Sequence, residues 1–585
     1  MTKLAGIGAS RGVAIGKIYL LDRSRICVLK YEIEEDEISK EIQRFKEAVG
    51  ESTKYLNKIK EKAKKNLDSK FLGIIDGHMM ILQDDLLVSE TIDRIKNERT
   101  NAEWVFQESI KRLRNIFLKM DDEYLRERGK DIGHVGNLIL RNLVGHDQES
   151  IADLDEKAII VSRDLAPSDV VQMKKDKVLG FVTEAGGKTS HVSILAASFE
   201  IPAVVGLKDL IEKANLGDPI IIDGDEGIVI INPTKKEFEE YLKKHQTFKY
   251  HEKELLKIKD LKAETKDGFS VKLMANIETN LEIPLAKRQG AQGVGLFRTE
   301  YLFMNRQDLP SEEEHFQLYK ETVESFAPDP VIIRTMDAGG DKINPKLSKI
   351  EANPALGLRG IRYSLKEQDI FKDQLRAILR AGHFGNVKIM YPLVSGLEEI
   401  QKANEILEEV KESLSRDGIP FKKNVEVGIM IETPSAAVIA DMLASAVDFF
   451  SIGTNDLIQY VLAVDRTNEM VASLYQPLHP SALRLIELIL KSAEKADIEV
   501  SVCGSMGGNP LTALILLGLG KIDSISMYAH SLPKIKKMIR NISLKDAKDI
   551  SSHVLSLSTF KEINNYVNIE LKNRFSDDSN FAHLN

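Results

Sequence analysis

Residues Gly186 to Ala196 read GGKTSHVSILA. Two glycines and two hydroxyls lead to His191, which stands at the start of a predicted helical run, Val192–Ala197. A helix start offers free backbone N–H groups and the positive end of the dipole, which together stabilise a phosphate carried on the ring. The same dipole disfavours imidazolium and keeps the ring nucleophilic. An isolated histidine is more often structural, but this surrounding points to chemistry on phosphate. A second set of reactive types lies further along the chain: Asn276, Arg298, Arg334, Asp337, Glu432, Asn455, Asp456 and Cys503, with Lys342 and Arg466 close by. Arg298, Arg334, Lys342 and Arg466 would surround a strongly anionic ligand, for which planar guanidinium forks are suited. Glu432 and Asp456 are hard oxygen donors that fit Mg²⁺. For any one of these residues an internal ion pair is the plain alternative, and for Cys503 it is simple packing. The cations around Cys503 would lower its thiol pKa.

What must position the second set is a series of strands. Beyond Gly268 the chain alternates strand-like runs with helical stretches: Val271–Ile277, Gly293–Phe297, Val331–Met336, Val387–Leu393, Val425–Ile431, Phe449–Ile452, Glu499–Val502 and Ser524–Met527. Eight βα units predict a closed parallel (β/α)8 barrel, a TIM barrel, with a doubly wound open sheet as the alternative. The second set stands at the C-terminal ends of these runs, with Lys342 and Arg466 in loops just beyond, where barrel chemistry is expected. Charged groups just past buried apolar strands are costly unless paired or used.

The first half reads differently. Glycines at 6, 8, 12 and 16 surround the apolar run Val13–Ile15, which suggests a short strand flanked by turns. From Tyr31 to Leu143 apolar residues recur at helical spacing (Ile38, Ile42, Phe45, Val49; Trp104, Phe106, Ile110, Leu113). Strand-like runs return at 158–162, 178–183, 203–206 and 220–223. This pattern predicts an α/β domain, 1–20 plus 148–230, interrupted by a helical insert, 31–145. The patch GHMMILQDDLL, Gly77–Leu87, is either core or an adaptable methionine surface. Asn232-Pro233 would cap a charged linker helix spanning 231–260, ahead of the barrel, 261–585.

Composition bounds the whole. The chain has 585 residues, 81 Lys+Arg against 89 Asp+Glu, and a net charge of -8. That balance argues against nucleic-acid binding, which needs a basic surface, and suits a basic protein partner instead. Acids such as Asp84 and Asp85 in the insert are candidates to face it. Two cysteines, Cys27 and Cys503, exclude a disulfide framework and fit a reducing cytoplasm. The most apolar stretch, Leu511–Gly520, is about half of a membrane span, and no membrane insertion is expected. The N-terminus lacks the apolar core of a signal peptide.

GGKTSHVSILA together with GLFRTEYLFM (295–304), IIRTMDAGGDK (332–342), DFFSIGTNDLIQYVLAVDR (448–466) and VCG (502–504) closely resembles enzyme I of the bacterial phosphotransferase system, a PEP-utilizing enzyme family. The likeness runs along essentially the whole chain. It implies a swivelling phosphohistidine domain with an inserted helical bundle, a linker helix and a phosphoenolpyruvate-binding barrel that also forms a homodimer. It implies that His191 takes the phosphoryl group from phosphoenolpyruvate and passes it to a histidine of the carrier HPr, which docks on the insert, while pyruvate leaves. Arg298, Arg334, Lys342, Arg359 and Arg466 would hold the substrate with Asn455, Glu432 and Asp456 would bind Mg²⁺, and Cys503 would protonate the methylene carbon.

Some positions depart from the family pattern: Ala166, Val192 and Ala197 near the histidine, and Ser505, Gly507 and Asn509 after the cysteine. Related enzymes that add an ATP-binding domain need more chain ahead of the histidine than residues 1–185 offer. A regulatory sensor of the phosphoenolpyruvate-to-pyruvate ratio is the alternative from another functional class.

Overall fold

The structure is a computed structural model. It describes residues 2–21, 28–63, 69–82, 85–118, 123–145, 154, 156–165, 169, 173, 177–186, 196, 201–303, 309–339, 353–466, 468 and 470–574. Cys27, Asp84, Ala166, His191, Val192, Ala197 and Lys342 lie outside the described residues. The chain divides into two units, Met1–Tyr250 and His251–Asn585.

The first unit holds an eight-stranded sheet. Its strands are β1 (Thr2–Ala5), β2 (Ile7–Ser10), β3 (Val13–Leu21), β4 (Ala158–Ser162), β5 (Val178–Thr183), β6 (Ala203–Val205), β7 (Pro219–Asp223) and β8 (Ile228–Ile231), in the order β1-β8-β7-β3-β4-β5-β6-β2. The glycine-rich start is therefore three strands rather than one strand between turns. Among the described residues, five helices stand between β3 and β4: α1 (Ile38–Ala63), α2 (Ser69–Leu82), α3 (Asp85–Glu98), α4 (Ala102–Leu118) and α5 (Glu123–Val144). β3 and β4 nevertheless pair in parallel, Ile18 opposite Ile159, so the chain leaves and re-enters the sheet at neighbouring strands. The helices close around Phe45 and Phe106, whose rings lie 5.3 Å apart, with Leu56, Ile75, Ile95 and Ile139. The Gly77–Leu87 patch divides between its two readings. His78, Leu82 and Leu87 are buried, while Met80 is 73% exposed.

The charged helix Lys235–Leu256 starts differently from expectation. Thr234, not Asn232, is its cap: the Thr234 backbone and hydroxyl bond Glu237, whose own N–H returns to the hydroxyl. Asn232 takes a left-handed turn (φ 54°) and donates to Asp218.

The second unit is the closed parallel barrel, which excludes the open-sheet alternative. Its strands are β9 (Lys272–Ile277), β10 (Val294–Phe297), β11 (Val331–Arg334), β12 (Val387–Tyr391), β13 (Glu426–Ile431), β14 (Phe449–Ile452), β15 (Glu499–Val502) and β16 (Ser524–Met527), with β16 returning to β9. Strand side chains alternate, so each strand has one outward and one inward row. Outward residues such as Leu273, Ile333, Ile389, Ile431 and Ile525 join the core shared with the helices. Leu296, Ile332, Met390, Met430, Phe449 and Cys503 form a separate cluster. All six lie on the opposite rows and plug the barrel.

The apolar stretch after residue 510 is a helix, Pro510–Leu519, whose residues are buried except for Gly518. Among the described residues no helix is long and apolar enough to cross a membrane.

Candidate active site

Extending the inward rows past the ends of the strands finds the polar residues of the barrel mouth. Leu296 leads to Arg298 and Glu300, Ile332 to Arg334, Met430 to Glu432, Ser501 to Cys503, and Met274 to Asn276 and Glu278. Period two, which fills the barrel with apolar side chains, thus also aims the charged ones into its mouth.

Arg334 is buried. Its Nη2 lies 3.0 Å from Glu300 and its Nη1 2.9 Å from Asp337. Glu300 also accepts the Asp337 N–H at 2.9 Å, which fixes the turn after β11. Arg359 Nη2 reaches the two oxygens of Asp337 at 3.0 and 3.1 Å and Asp456 at 3.2 Å, and its Nη1 donates to the Tyr460 hydroxyl at 3.3 Å. Arg466, more exposed, lies 3.3 Å from Asp456. Burial works against the charge of Arg334, but Glu300 and Asp337 more than offset it and hold its pKa above the usual value. For Arg359 burial is likewise outweighed, here by Asp337 and Asp456. Arg298 pairs with Glu278 and donates to the Tyr528 hydroxyl at 3.2 Å. The structure therefore brings together Arg298, Arg334, Arg359, Arg466, Glu432 and Asp456.

Asp337, Glu432 and Asp456 each offer an oxygen, all within 4.8 Å of one another. Burial pushes the Glu432 carboxyl well above the usual range, and the Asp337 and Asp456 charges add to the shift. Three converging carboxylates, one of them with its charge disfavoured by burial, are a donor set that a hard divalent cation relieves. Glu432 is held by the Leu393 N–H at 2.7 Å, from a residue with φ of 54°, a left-handed backbone unusual for leucine. Sequence reading placed Asp337 at a strand end without giving it to the metal. Glu278, Glu300 and Tyr528 were missed, although counting every second residue past each strand would have reached all three.

Cys503 corrects one expectation. Burial pushes its thiol up to about 11, with the Glu432 charge adding, and Arg334 and Arg298 do not reverse this. Desolvation outweighs the cations because the sulfur lies in the apolar plug of the barrel. Its Sγ donates to the Ile452 carbonyl at 3.6 Å, and its own carbonyl accepts from Asn276 at 3.0 Å. Asn455 Oδ1 accepts from both the N–H (2.9 Å) and hydroxyl (2.6 Å) of Ser505.

The departures after Cys503 thus have local reasons. Ser505 anchors Asn455. Asn509 caps the buried helix through the Leu511 and Thr512 N–H groups. A Cβ on Gly507 would lie 2.6 Å from Ile525.

The chain matches three family profiles: the PEP-utilising enzyme N-terminal region over residues 5–128, the PEP-utilising enzyme mobile domain over 154–227, and the PEP-utilising enzyme PEP-binding domain over 252–544. It is 42% identical to a phosphoenolpyruvate-protein phosphotransferase of Haemophilus influenzae over 568 residues, 96% of this chain and 98% of that one. It is equally 42% identical to the protein of that name from Bacillus subtilis, over 96% of this chain and 98% of the other. A solution structure of Enzyme I (nEIt), 39% identical, covers 42% of this chain and 99% of its own, with a TM-score of 0.37.

Proposed function

The chain belongs to the PEP-utilising enzyme family, and from that premise we propose that it is a phosphoenolpyruvate-protein phosphotransferase. It moves the phosphoryl group of phosphoenolpyruvate to His191 and on to a histidine of HPr, releasing pyruvate. The observation that carries this reading is the barrel mouth: four arginines converge with three carboxylates around a buried, protonated thiol.

In the first step the enol P–O bond breaks as a bond from phosphorus to the His191 ring nitrogen forms. Phosphoryl transfer asks mainly for positioning and charge neutralisation. Arg298, Arg334, Lys342, Arg359 and Arg466 supply both, with Asn455 orienting the carboxylate end. Glu432 and Asp456, joined by Asp337, would hold Mg²⁺, which when bound neutralises charge on the phosphate oxygens. The enolate left behind takes the Cys503 proton at its methylene carbon and becomes pyruvate. A thiol pushed up to about 11 still carries that proton at neutral pH and yields it only to a strong base such as an enolate carbon. Solvent then returns a proton to sulfur.

On this reading 1–20 plus 148–230 form the phosphohistidine domain, 31–145 docks HPr, 231–260 is the linker and 261–585 binds substrate and forms the homodimer; the matched mobile and PEP-binding regions support the phosphohistidine and substrate-binding assignments. The exposed Met80 on α2 suits docking, since methionine adapts to a partner surface. The setting is cytoplasmic. The shared name of the relatives favours transfer over the role of a sensor.

Incubation with labelled phosphoenolpyruvate and Mg²⁺, then HPr, tests the reading. Acid-labile label should form on the wild type, pass to HPr, and be absent from His191→Ala. Label on that variant would overturn the assignment of His191.

A further inference from the structure

Most arginines of the mouth share their carboxylate partners with the metal cluster: Arg334 and Arg359 with Asp337, Arg359 and Arg466 with Asp456. Arg298 does not. Its carboxylate is Glu278, which stands outside the three-carboxylate group. Strand register explains the pairing. β9 and β10 place Ile277 opposite Phe297, so the next residues, Glu278 and Arg298, stand side by side. β16 flanks β9 with Met527 opposite Ala275, which brings Tyr528 to the same rim.

These three side chains form a closed ring. Arg298 Nη1 bonds Glu278 and donates to the Tyr528 hydroxyl at 3.2 Å, and that hydroxyl donates to Glu278 at 3.5 Å. The guanidinium also lies 5.8 Å from the centre of the Tyr528 ring, and that ring stacks nearly parallel on His530. The turn carrying Glu278 is itself fixed, because Glu282 takes the Glu278 N–H at 2.7 Å and the Thr279 N–H at 3.0 Å. Among the described residues, both hydrogen bonds of Arg298 leave from Nη1, so Nη2 and Nε remain to meet an anion.

From this geometry we infer that Glu278 and Tyr528 are positioning residues that hold the Arg298 fork in the orientation that receives the anionic substrate. The inference rests on the reading of the barrel mouth as the phosphoenolpyruvate site. An arginine side chain has many rotamers, and fixing one edge by an ion pair, a hydroxyl and an aromatic face removes that freedom before the substrate arrives. The ring contributes through orientation and not through contact with the substrate, so its effect must vanish when Arg298 is absent.

The test compares full-length wild type with Glu278→Ala, Glu278→Gln, Tyr528→Phe, Arg298→Ala and the double variant Glu278→Ala/Arg298→Ala, measuring kcat and KM for phosphoenolpyruvate by pyruvate release in the presence of HPr. Glu278→Ala should raise KM about tenfold with a smaller change in kcat, as expected for losing a charge-assisted hydrogen bond. Glu278→Gln, which keeps the acceptor oxygen, should recover part of the loss, and Tyr528→Phe should cost about threefold. The double variant should be no worse than Arg298→Ala alone. An unchanged or lowered KM in Glu278→Ala, or a full additive loss in the double variant, overturns the inference while leaving the function standing. If Glu278→Ala does not fold, Glu278→Gln and Tyr528→Phe decide: an unchanged KM in both overturns it. A wild type that releases no pyruvate overturns the functional reading and this inference together.

Discussion

Arg359 reaches both carboxylate oxygens of Asp337 through a single nitrogen, at 3.0 and 3.1 Å. Asp337 thereby holds two arginines, Arg334 being the other, while presenting an oxygen to the group formed with Glu432 and Asp456. Asp337→Asn removes one of the three charges that would attract the cation and loosens both arginines. The expected outcome is a Mg²⁺ requirement raised about tenfold or more, read by titrating the metal against pyruvate release. A superimposable titration would remove Asp337 from the metal site.

Cys503 allows a test that needs no turnover. Its thiol is raised to about 11 by burial, so at pH 8 only about one molecule in a thousand carries thiolate, the nucleophilic form. Alkylation of Cys503 in the folded protein should be negligible at pH 8 and rise towards pH 11, whereas an ordinary thiol titrates near 8.5. Peptide mass analysis after a timed iodoacetamide pulse reads this directly. Rapid labelling at pH 8 would contradict the protonated acid on which the proposed chemistry depends. Cys503→Ala should slow pyruvate release while retaining substrate binding.

The barrel was legible because each strand is a short apolar run ended by polar or turn residues, and buried parallel strands leave that signature. Its mouth was legible at Arg298 and Glu432, charged residues that directly follow such runs, and at Asp456, which comes four residues past the end of its run. Glu278 and Tyr528 lie at countable positions past their strands, but their pairing with Arg298 was not legible because it joins residues of different strands, and register is a tertiary property. The direction of the Cys503 shift was misread because sequence displays charges but not desolvation, and burial decided the outcome. At the N-terminus β1 pairs with β8 and β2 with β6, strands some two hundred residues away. No local pattern announces those partners, so the glycines looked like turns.

Glu282 gives stability a pH dependence. Burial raises its carboxyl to about 7, and the neighbouring Glu278 charge adds to the shift, against the N–H groups of Glu278 and Thr279 and the Arg298 charge that oppose it. A carboxyl whose folded pKa exceeds its unfolded value near 4.5 contributes stability that is fully present below about 4.5 and lost as the pH rises through 7. Glu282→Gln keeps an acceptor for both N–H groups and abolishes the titration. It should leave the melting temperature unchanged at pH 5 and raise it at pH 8. Equal shifts at both pH values would refute the titration.

Asp267 provides the opposite case at the barrel rim. The Thr265 hydroxyl and the Leu544 and Lys545 N–H groups donate to its carboxylate, and these bonds lower it to about 2. Its folded pKa lies below its unfolded value, so its stabilisation is present above about 4 and lost as the pH falls through 2. Asp267→Asn should melt earlier than the wild type at pH 7 and match it near pH 2. A deficit independent of pH would trace the effect to packing.

Gly518 tests how closely the barrel's outer helices are fitted. It lies in the helix Pro510–Leu519, and a Cβ there would meet the Ala547 carbonyl oxygen at 2.0 Å and the Ser551 hydroxyl at 2.3 Å. Alanine is the better helix former by about 1 kcal/mol, so propensity alone predicts a more stable Gly518→Ala. Sterics predict the reverse, because the backbone oxygen of the facing helix, Leu544–Ser556, cannot rotate away and the two helices must separate. Overpacking of this kind costs about 1–3 kcal/mol or more, which outweighs the gain in propensity. Ser551 adds to the cost, since its hydroxyl donates to the Ile515 carbonyl at 2.9 Å and that bond is strained by any separation. Gly518→Ala should therefore lower the denaturation midpoint of the barrel, with Ser551→Ala in the same background recovering only a part because the Ala547 oxygen remains. A midpoint equal to or above that of the wild type would mean that the helices have slack at this crossing.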